Sequence, residues 1–351
     1  HIMHTLKEVS KAKHRILEKY FPAWASILGR HHRLIYVDCF AGAGKYDNDE
    51  PGSPLIIYRL AKELVGPNKI RGITLIFIEK DKTKAARLKE NLNSEYDSDS
   101  DVRFNVYDED ATDFAELFLK AIPQNRPAFY FIDPYGHPIS LPTIQSMLSK
   151  RKEAFLNLMW YAINRNLDNP VTQESINKMF GHERWKNESF MSMHGEEREK
   201  SFLDYVVSEI GAEFALPFRI RFGPDDKIKG NRTKYYLIHF SNHPRAMLIM
   251  KDIMYGFGDE KGTFNYSASK QRLLFSTTPQ VDELIEQLKI KYGGTGKRIS
   301  FLDLQIETYK LMFTTKQYAD AIKRMEGTEV EIERIKSKKT GIAEEDIIIF
   351  K

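Results

Sequence analysis

The sequence predicts an α/β protein: a doubly wound, mostly parallel sheet that closes in an antiparallel hairpin, followed by a small winged-helix-like domain. Three observations predict this. Short apolar runs such as Leu75-Ile-Phe-Ile78 and Phe129-Tyr-Phe-Ile132 alternate with longer segments of helical periodicity, as interior parallel strands covered on both faces by helices would. Two later strand patterns, 216–222 and 234–240, flank a turn-rich tip and read as a hairpin. From Gln280 onward, three helical patterns and two short strands take over.

In chain order, apolar residues at Ile16, Leu17, Tyr20, Trp24 and Leu28 predict an amphipathic helix within 6–28, interrupted at Pro22. Strands and helices then alternate over 34–40, 55–64, 73–78, 82–96, 102–106, 114–122, 128–132, 141–148 and 154–162. Residues 165–196, polar and Asn-rich with scattered Met, read as an insertion over the sheet edge. A helix over 197–211 ends at Gly211, and the hairpin follows. The last part has helical patterns at 281–292, 301–311 and 315–325 and strands at 330–335 and 346–350, the element content of a winged helix. The expected organisation is a helical segment over 1–30, a Rossmann-like domain over 31–278 and a winged-helix-like domain over 279–351. No internal repeat is visible.

A chain of 351 residues, 42% hydrophobic and 29% charged, suffices for one large core and a satellite. No apolar run is long enough to cross a bilayer, so no membrane partner is expected. His1-Ile2, ahead of Met3, reads as a cloning remnant rather than a targeting signal. The single cysteine, Cys39, offers neither a disulfide nor a thiolate cluster, which suits a cytoplasmic setting. His137 and the pair His31-His32 lack companions at metal-ligand spacing, and no metal is expected. With 53 Lys and Arg against 49 Asp and Glu, any basic surface must be local.

The segment Asp38-Cys-Phe-Ala-Gly-Ala-Gly44 places small residues after an apolar strand, where a ligand approaches the backbone closely. A P-loop needs GxxxxGK followed by Ser or Thr, but Cys39 stands five before Gly44 and Tyr46 follows Lys45. A dinucleotide fingerprint needs a third glycine where Asp47 stands, and Asp38 would repel a pyrophosphate. S-adenosyl-L-methionine has no phosphate and carries cationic sulfonium and amino groups, so it suits this loop. Candidate cofactor-binding residues are Asp38, Phe40, Ala41, Gly42 and Gly44, with Glu79 for the ribose hydroxyls and Asp110, in competition with Asp108, for the adenine amine. Ser53-Pro54 reads as N-cap and first turn of the next helix.

The strand 128–132 runs into Asp133-Pro-Tyr-Gly136. An amine on an aromatic base is a poor nucleophile and needs acceptors that orient its lone pair. The Asp133 carboxylate and Pro134 carbonyl can supply them, Tyr135 can stack on an unpaired base, and Gly136 would line the substrate site. Methylation of a pyrimidine carbon would need a cysteine nucleophile, and Cys39 lies in the cofactor loop.

These residues resemble a known family. Lys13-His-Arg-Ile-Leu-Glu-Lys-Tyr20, Tyr36-Val-Asp-Cys-Phe-Ala-Gly-Ala-Gly-Lys-Tyr46 and Gly52-Ser-Pro-Leu55 are similar to the three-Cys-motif partner (TcmP) family. The resemblance implies a methyltransferase-like fold of class I and a partner that carries a three-cysteine motif. Asp133-Pro-Tyr-Gly136 also resembles the Asp-Pro-Phe-Gly motif of tRNA guanine N2-dimethyltransferases.

Basic residues mark where a nucleic acid, RNA before DNA, would lie. The hairpin tip carries Arg219, Arg221, Lys227, Lys229, Arg232 and Lys234; the wing carries Arg334, Lys336, Lys338 and Lys339. Two functions lead: an S-adenosylmethionine-dependent N-methyltransferase acting on an exocyclic amine of a base, or a non-catalytic nucleic-acid-binding adaptor that keeps the fold and docks a partner; methylation of a protein or small molecule stays open, because the fold does not identify the acceptor.

Overall fold

The computed structural model describes residues 8–66, 69–98, 101–134, 139–222, 232–258, 265–266, 279–336 and 341–351. The chain divides into two compact units, His1–Ile249 with Tyr266–Ala268, and Met250–Asn265 with Ser269–Lys351.

The first unit is built on β1 (Leu34–Asp38), β2 (Ile73–Ile78), β3 (Val102–Tyr107), β4 (Ala128–Ile132), β5 (Lys152–Leu158), β6 (Phe214–Arg221) and β7 (Thr233–Ser241). With the two-residue β8 (Asn265–Tyr266), the sheet order is β3-β2-β1-β4-β5-β7-β6-β8. Strands β1 to β5 pair in parallel, whereas β7 runs antiparallel to both β5 and β6. This is the doubly wound, Rossmann-like order with a terminal antiparallel hairpin that the sequence predicts. The continuously apolar β4 is buried at every position, as a strand with helices on both faces must be.

Helices α1 (Glu8–Leu28), α2 (Ser53–Leu64), α3 (Lys82–Asn93), α4 (Ala111–Phe114), α5 (Leu141–Met147), α6 (Trp160–Leu167), α7 (Gln173–Phe180), α8 (Gly195–Ile210) and α9 (Pro244–Tyr255) follow in chain order. Three sequence expectations are corrected. Pro22 does not interrupt α1, which is continuous from Glu8 to Leu28; the proline forfeits one backbone bond, and burial of Phe21, Trp24 and Ala25 around it holds the helix together. Ser53 is not an N-cap. The helix begins at Ser53 with Gly52 as its cap, because the serine hydroxyl is committed to Asp38. The segment 154–162 is the end of β5 and the start of α6, since strand pairing continues to Leu158.

The stretch 165–196 is more than an edge covering. Its Ile176, Met179, Phe180, Trp185 and Phe190 are buried in the main core with Phe202 and Val206 of α8. These few large side chains are diluted by polar neighbours, which hides their helical spacing. Gly211 caps α8 in the left-handed region at φ 64°, as expected.

In the second unit, α10 (Pro279–Tyr292), β9 (Arg298–Ser300), α11 (Phe301–Glu307), α12 (Thr315–Met325), β10 (Val330–Glu333) and β11 (Ile347–Phe350) enclose a separate core. The sheet order is β10-β11-β9, all antiparallel. β9 has no signature in the sequence; three residues are too few to show a period.

Candidate active site

Asp38, the last residue of β1, pairs in register with Phe131 of β4, two residues before Asp133. Both aspartates therefore leave neighbouring strands at the point where the strand order reverses, the crevice where open α/β sheets bind ligands.

The loop after β1 is held from several sides. Cys39 N–H donates to Phe131 O and Ala41 N–H to Ile78 O, both at 2.9 Å. The amide of Asn91 on α3 donates to Ala43 O at 2.9 Å. Gly42 and Gly44 take φ of 67° and 82°, a region where a side chain is strained. They differ in surroundings: a Cβ on Gly44 would meet Leu88 Cδ1 at 2.8 Å, whereas one on Gly42 would enter open space.

The two carboxylates of the loop organise it. Asp38 is fully buried; its Oδ1 accepts from Phe40 N–H at 3.2 Å and its Oδ2 from Ser53 Oγ at 2.6 Å. Burial pushes its carboxyl up to about 7, against the pull of those two hydrogen bonds. Glu79, half-buried at the end of β2, accepts from Gly42 N–H at 2.9 Å and from Asp81 N–H at 2.8 Å.

At the end of β4, Asp133 is gripped by Lys13 Nζ on Oδ2 and by Asn157 Nδ2 on Oδ1, the latter at 2.7 Å. Burial alone would raise its pKa, but the Lys13 charge and hydrogen bond, with those of Asn157, outweigh it and hold the carboxyl below its usual range. His14, beside this cluster, is pushed down to about 4 by burial and by Lys13, so it is neutral at pH 7. Three buried oxygens nearby in the fold, Asn157 Oδ1, Tyr36 OH and Tyr130 OH, have no partner.

Helix α1 reaches this corner because Tyr20, Phe21 and Trp24 pack on the sheet, with ring centroids 5.5 Å from Phe129, 5.7 Å from Tyr36 and 5.7 Å from Phe129 respectively. Lys11 adds an ion pair to Glu50 at 3.1 Å.

The other sequence candidates fall as follows. Phe40 is half-buried and Ala41 and Pro134 are buried beside the crevice strands. Asp110 caps α4 through Thr112 N–H and pairs with Lys80, both at 2.9 Å. Arg221 ends β6, Arg232 is exposed just before β7, and Lys336 pairs with Glu345 at 3.4 Å. Of the further basic positions, Arg219 is committed to Glu199 and Glu196, and Arg334 to Glu326. Tyr135, Gly136, Lys229, Lys338 and Lys339 lie outside the described residues. Sequence reasoning missed Lys13, Ser53 and Asn157 as site residues. Asn157 left a local signal, a polar residue inside the otherwise apolar run Ala154-Phe-Leu-Asn-Leu158, whereas Lys13 and Ser53 are marked only by lying in segments that carry the family resemblance. Among the described residues, no three His, Cys, Asp or Glu side chains cluster to hold a metal ion.

No family model matches the chain, and no curated protein matches it. Among solved structures it is similar to the protein LPL1258 from Legionella pneumophila, at 14% identity over 72% of this chain and 93% of that one, with a TM-score of 0.42. It is similar to Trm1 from Pyrococcus horikoshii, solved with S-adenosyl-L-methionine, at 11% identity over 79% and 71% of the two chains and a TM-score of 0.37. A putative S-adenosyl-L-methionine-dependent methyltransferase from Methanococcus maripaludis aligns at 12% identity over 67% and 90%, with a TM-score of 0.31.

Proposed function

We propose that the chain is an S-adenosylmethionine-dependent N-methyltransferase acting on an exocyclic amine of a nucleic-acid base, in RNA before DNA. A buried carboxylate at the end of β4, gripped by Lys13 and Asn157, carries this reading.

The crevice fits the cofactor on its own terms. The open space beside Gly42 is what a bound ligand would fill, and a side chain there would take it. Glu79 uses one lone pair on each oxygen to hold the loop, which leaves acceptors for ribose hydroxyls. Asp110 keeps acceptor capacity for the adenine amine beyond its cap and its Lys80 pair. Asp38, fully buried, acts through the loop it organises, holding Phe40 N–H and Ser53 Oγ in place. S-adenosyl-L-methionine, when bound, supplies an activated methyl group.

Asp133 then orients the acceptor. Held ionised, it only accepts hydrogen bonds, and two of its roughly four lone-pair sites are taken. The others can accept from an amine and aim its lone pair, with the Pro134 carbonyl as second acceptor and Tyr135 as stacking surface. Its depressed pKa makes it a poor base, so its task is to position the amine. Carbon methylation through a thiolate does not suit this crevice: Cys39 is buried and burial pushes its thiol well above the usual range.

The resemblance of the motifs to TcmP, with its three-Cys-motif partner, supports the reading. So do the basic positions Arg221, Lys229, Arg232, Lys336, Lys338 and Lys339 as backbone contacts, and the helix and strand order of the second unit, which we read as a winged helix. Incubation with methyl-labelled S-adenosylmethionine and total cellular nucleic acid should transfer label, and Asp133→Ala should abolish the transfer. Cofactor binding without transfer to any nucleic acid would sink the proposal.

A further inference from the structure

The opposite edge of the large sheet carries a second charged feature. The loops that enter β2, β1, β4 and β5 bring Arg71, Arg30, Arg126, Lys150 and Arg151 to the amino-terminal edge, in that spatial order, and all five are exposed. Strands lie about 4.8 Å apart, so the row extends over roughly 15 Å.

Exposed Lys and Arg are ordinary; their lack of counterions here is not. Elsewhere in this chain arginines meet carboxylates, as in Arg59–Glu95 at 2.7 Å and Arg198–Asp168 at 2.7 Å. On this edge Arg33 pairs with Asp101 at 3.4 Å, but among the described residues Arg30, Arg71, Arg126 and Lys150 have no carboxylate within 4.0 Å, and the Arg151 guanidinium meets His32 and Asn125 O, at 3.1 and 3.4 Å. His32 registers the excess: burial and the charges of Arg151, His31, Arg71 and Arg126 all push its pKa down. Uncompensated like charges cost free energy that a polyanion would recover.

Beside this row opens a cavity of about 380 Å³, lined by Trp24, Ile27, Leu28 and Ile249, by Lys150 and Arg151, and by Glu153, whose carboxylate is taken up by Tyr20 and His239. The indole nitrogen of Trp24 is buried without a partner. A cationic rim around an apolar wall matches a base flanked by its phosphates. An acidic peptide would satisfy the rim and leave the wall empty.

We infer that this edge is a second nucleic-acid contact, remote from the crevice, in which the arginine and lysine row holds backbone phosphates and the cavity takes one unpaired base. The choice of nucleic acid as the polyanion rests on the substrate class proposed above. The test uses the full chain, a labelled single-stranded RNA oligonucleotide of mixed sequence, and fluorescence anisotropy across a salt series. The triple variant Arg71→Glu/Lys150→Glu/Arg151→Glu should bind at least tenfold more weakly and flatten the slope of log affinity against log salt by about 2, near 0.7 for each phosphate no longer neutralised. S-adenosylmethionine binding by calorimetry should be unchanged. Should charge reversal unfold the chain, Arg126→Gln/Lys150→Gln should flatten the slope by about 1.4. An unaltered slope, or competition by poly-L-glutamate as effective as that by unlabelled RNA, overturns the inference. Failure of the unmodified chain to bind S-adenosylmethionine overturns the proposed reaction and leaves the RNA slopes to decide this one.

Discussion

The ammonium of Lys13 grips the carboxylate of Asp133, 120 residues later in the chain, and both are buried. A paired charge out of water is tolerable only while both partners remain. Lys13→Met should therefore strand Asp133 and cost about 3–5 kcal/mol, read by urea unfolding. Lys13→Met/Asp133→Asn should recover part of that loss; strict additivity would show that the two do not act as a pair.

Asp38 and Asp133 should pull stability in opposite directions with pH. The folded pKa of Asp38, about 7, lies above the unfolded value of about 3.9, so the folded chain binds the extra proton between them and Asp38 lowers stability as pH rises through that window. Asp133 is depressed; its contribution is complete above its unfolded pKa and is lost as pH falls through the folded one. Asp38→Asn should flatten the decline between about pH 4 and 7 in unfolding titrations. A slope identical to the unmodified chain would exclude Asp38 as its source.

Gly42 and Gly44 should separate binding from stability. Gly42→Ala meets no atom but keeps a positive φ, so it should cost about 1–2 kcal/mol and weaken S-adenosylmethionine binding more than tenfold by calorimetry. Gly44→Ala adds a clash with Leu88 to the same strain and should unfold at lower denaturant than Gly42→Ala. The reverse ranking in stability would contradict the loop geometry.

In the second unit, Lys251 is fully buried on α9, its Nζ unpartnered and 5.9 Å from the centroid of the Tyr318 ring. Burial pulls its pKa down to about 7, below the unfolded value of about 10.4, so the unfolded chain binds more protons between these values and stability should rise with pH there. Lys251→Met should raise Tm at pH 7 and remove that rise, checked by thermal scans between pH 6 and 10.

The alternation of apolar runs and helical periods is enough to place the sheet, because β4 is continuously apolar, β2 is so from Leu75 to Ile78, and interior strands need no polar face. The helix within 6–28 is visible but its purpose is not: nothing local in Lys13 distinguishes it from a solvated lysine. Its meaning lies in Asp133 and Asn157, and such pairings over more than a hundred residues leave no spacing to read. Glu153, buried between Tyr20 and His239, is invisible for the same reason. Asp38, Gly42 and Gly44 are legible as a loop that needs small residues. The division of labour between Asp38, which shapes the loop, and Glu79, which also stays half-open, emerges only once the strand ends converge in space.

Helix α1 also sets an order of assembly. It is made before the strands it packs on, yet Asp133, Glu153 and Asn157, which its Lys13 and Tyr20 reach directly or through Asp133, belong to β5 or the end of β4. On a ribosome the crevice stays incomplete until the chain has grown past Asn157, so a nascent or truncated chain that ends earlier carries the glycine loop with at most half of the grip on Asp133. Competence is thereby tied to having folded the centre of the sheet.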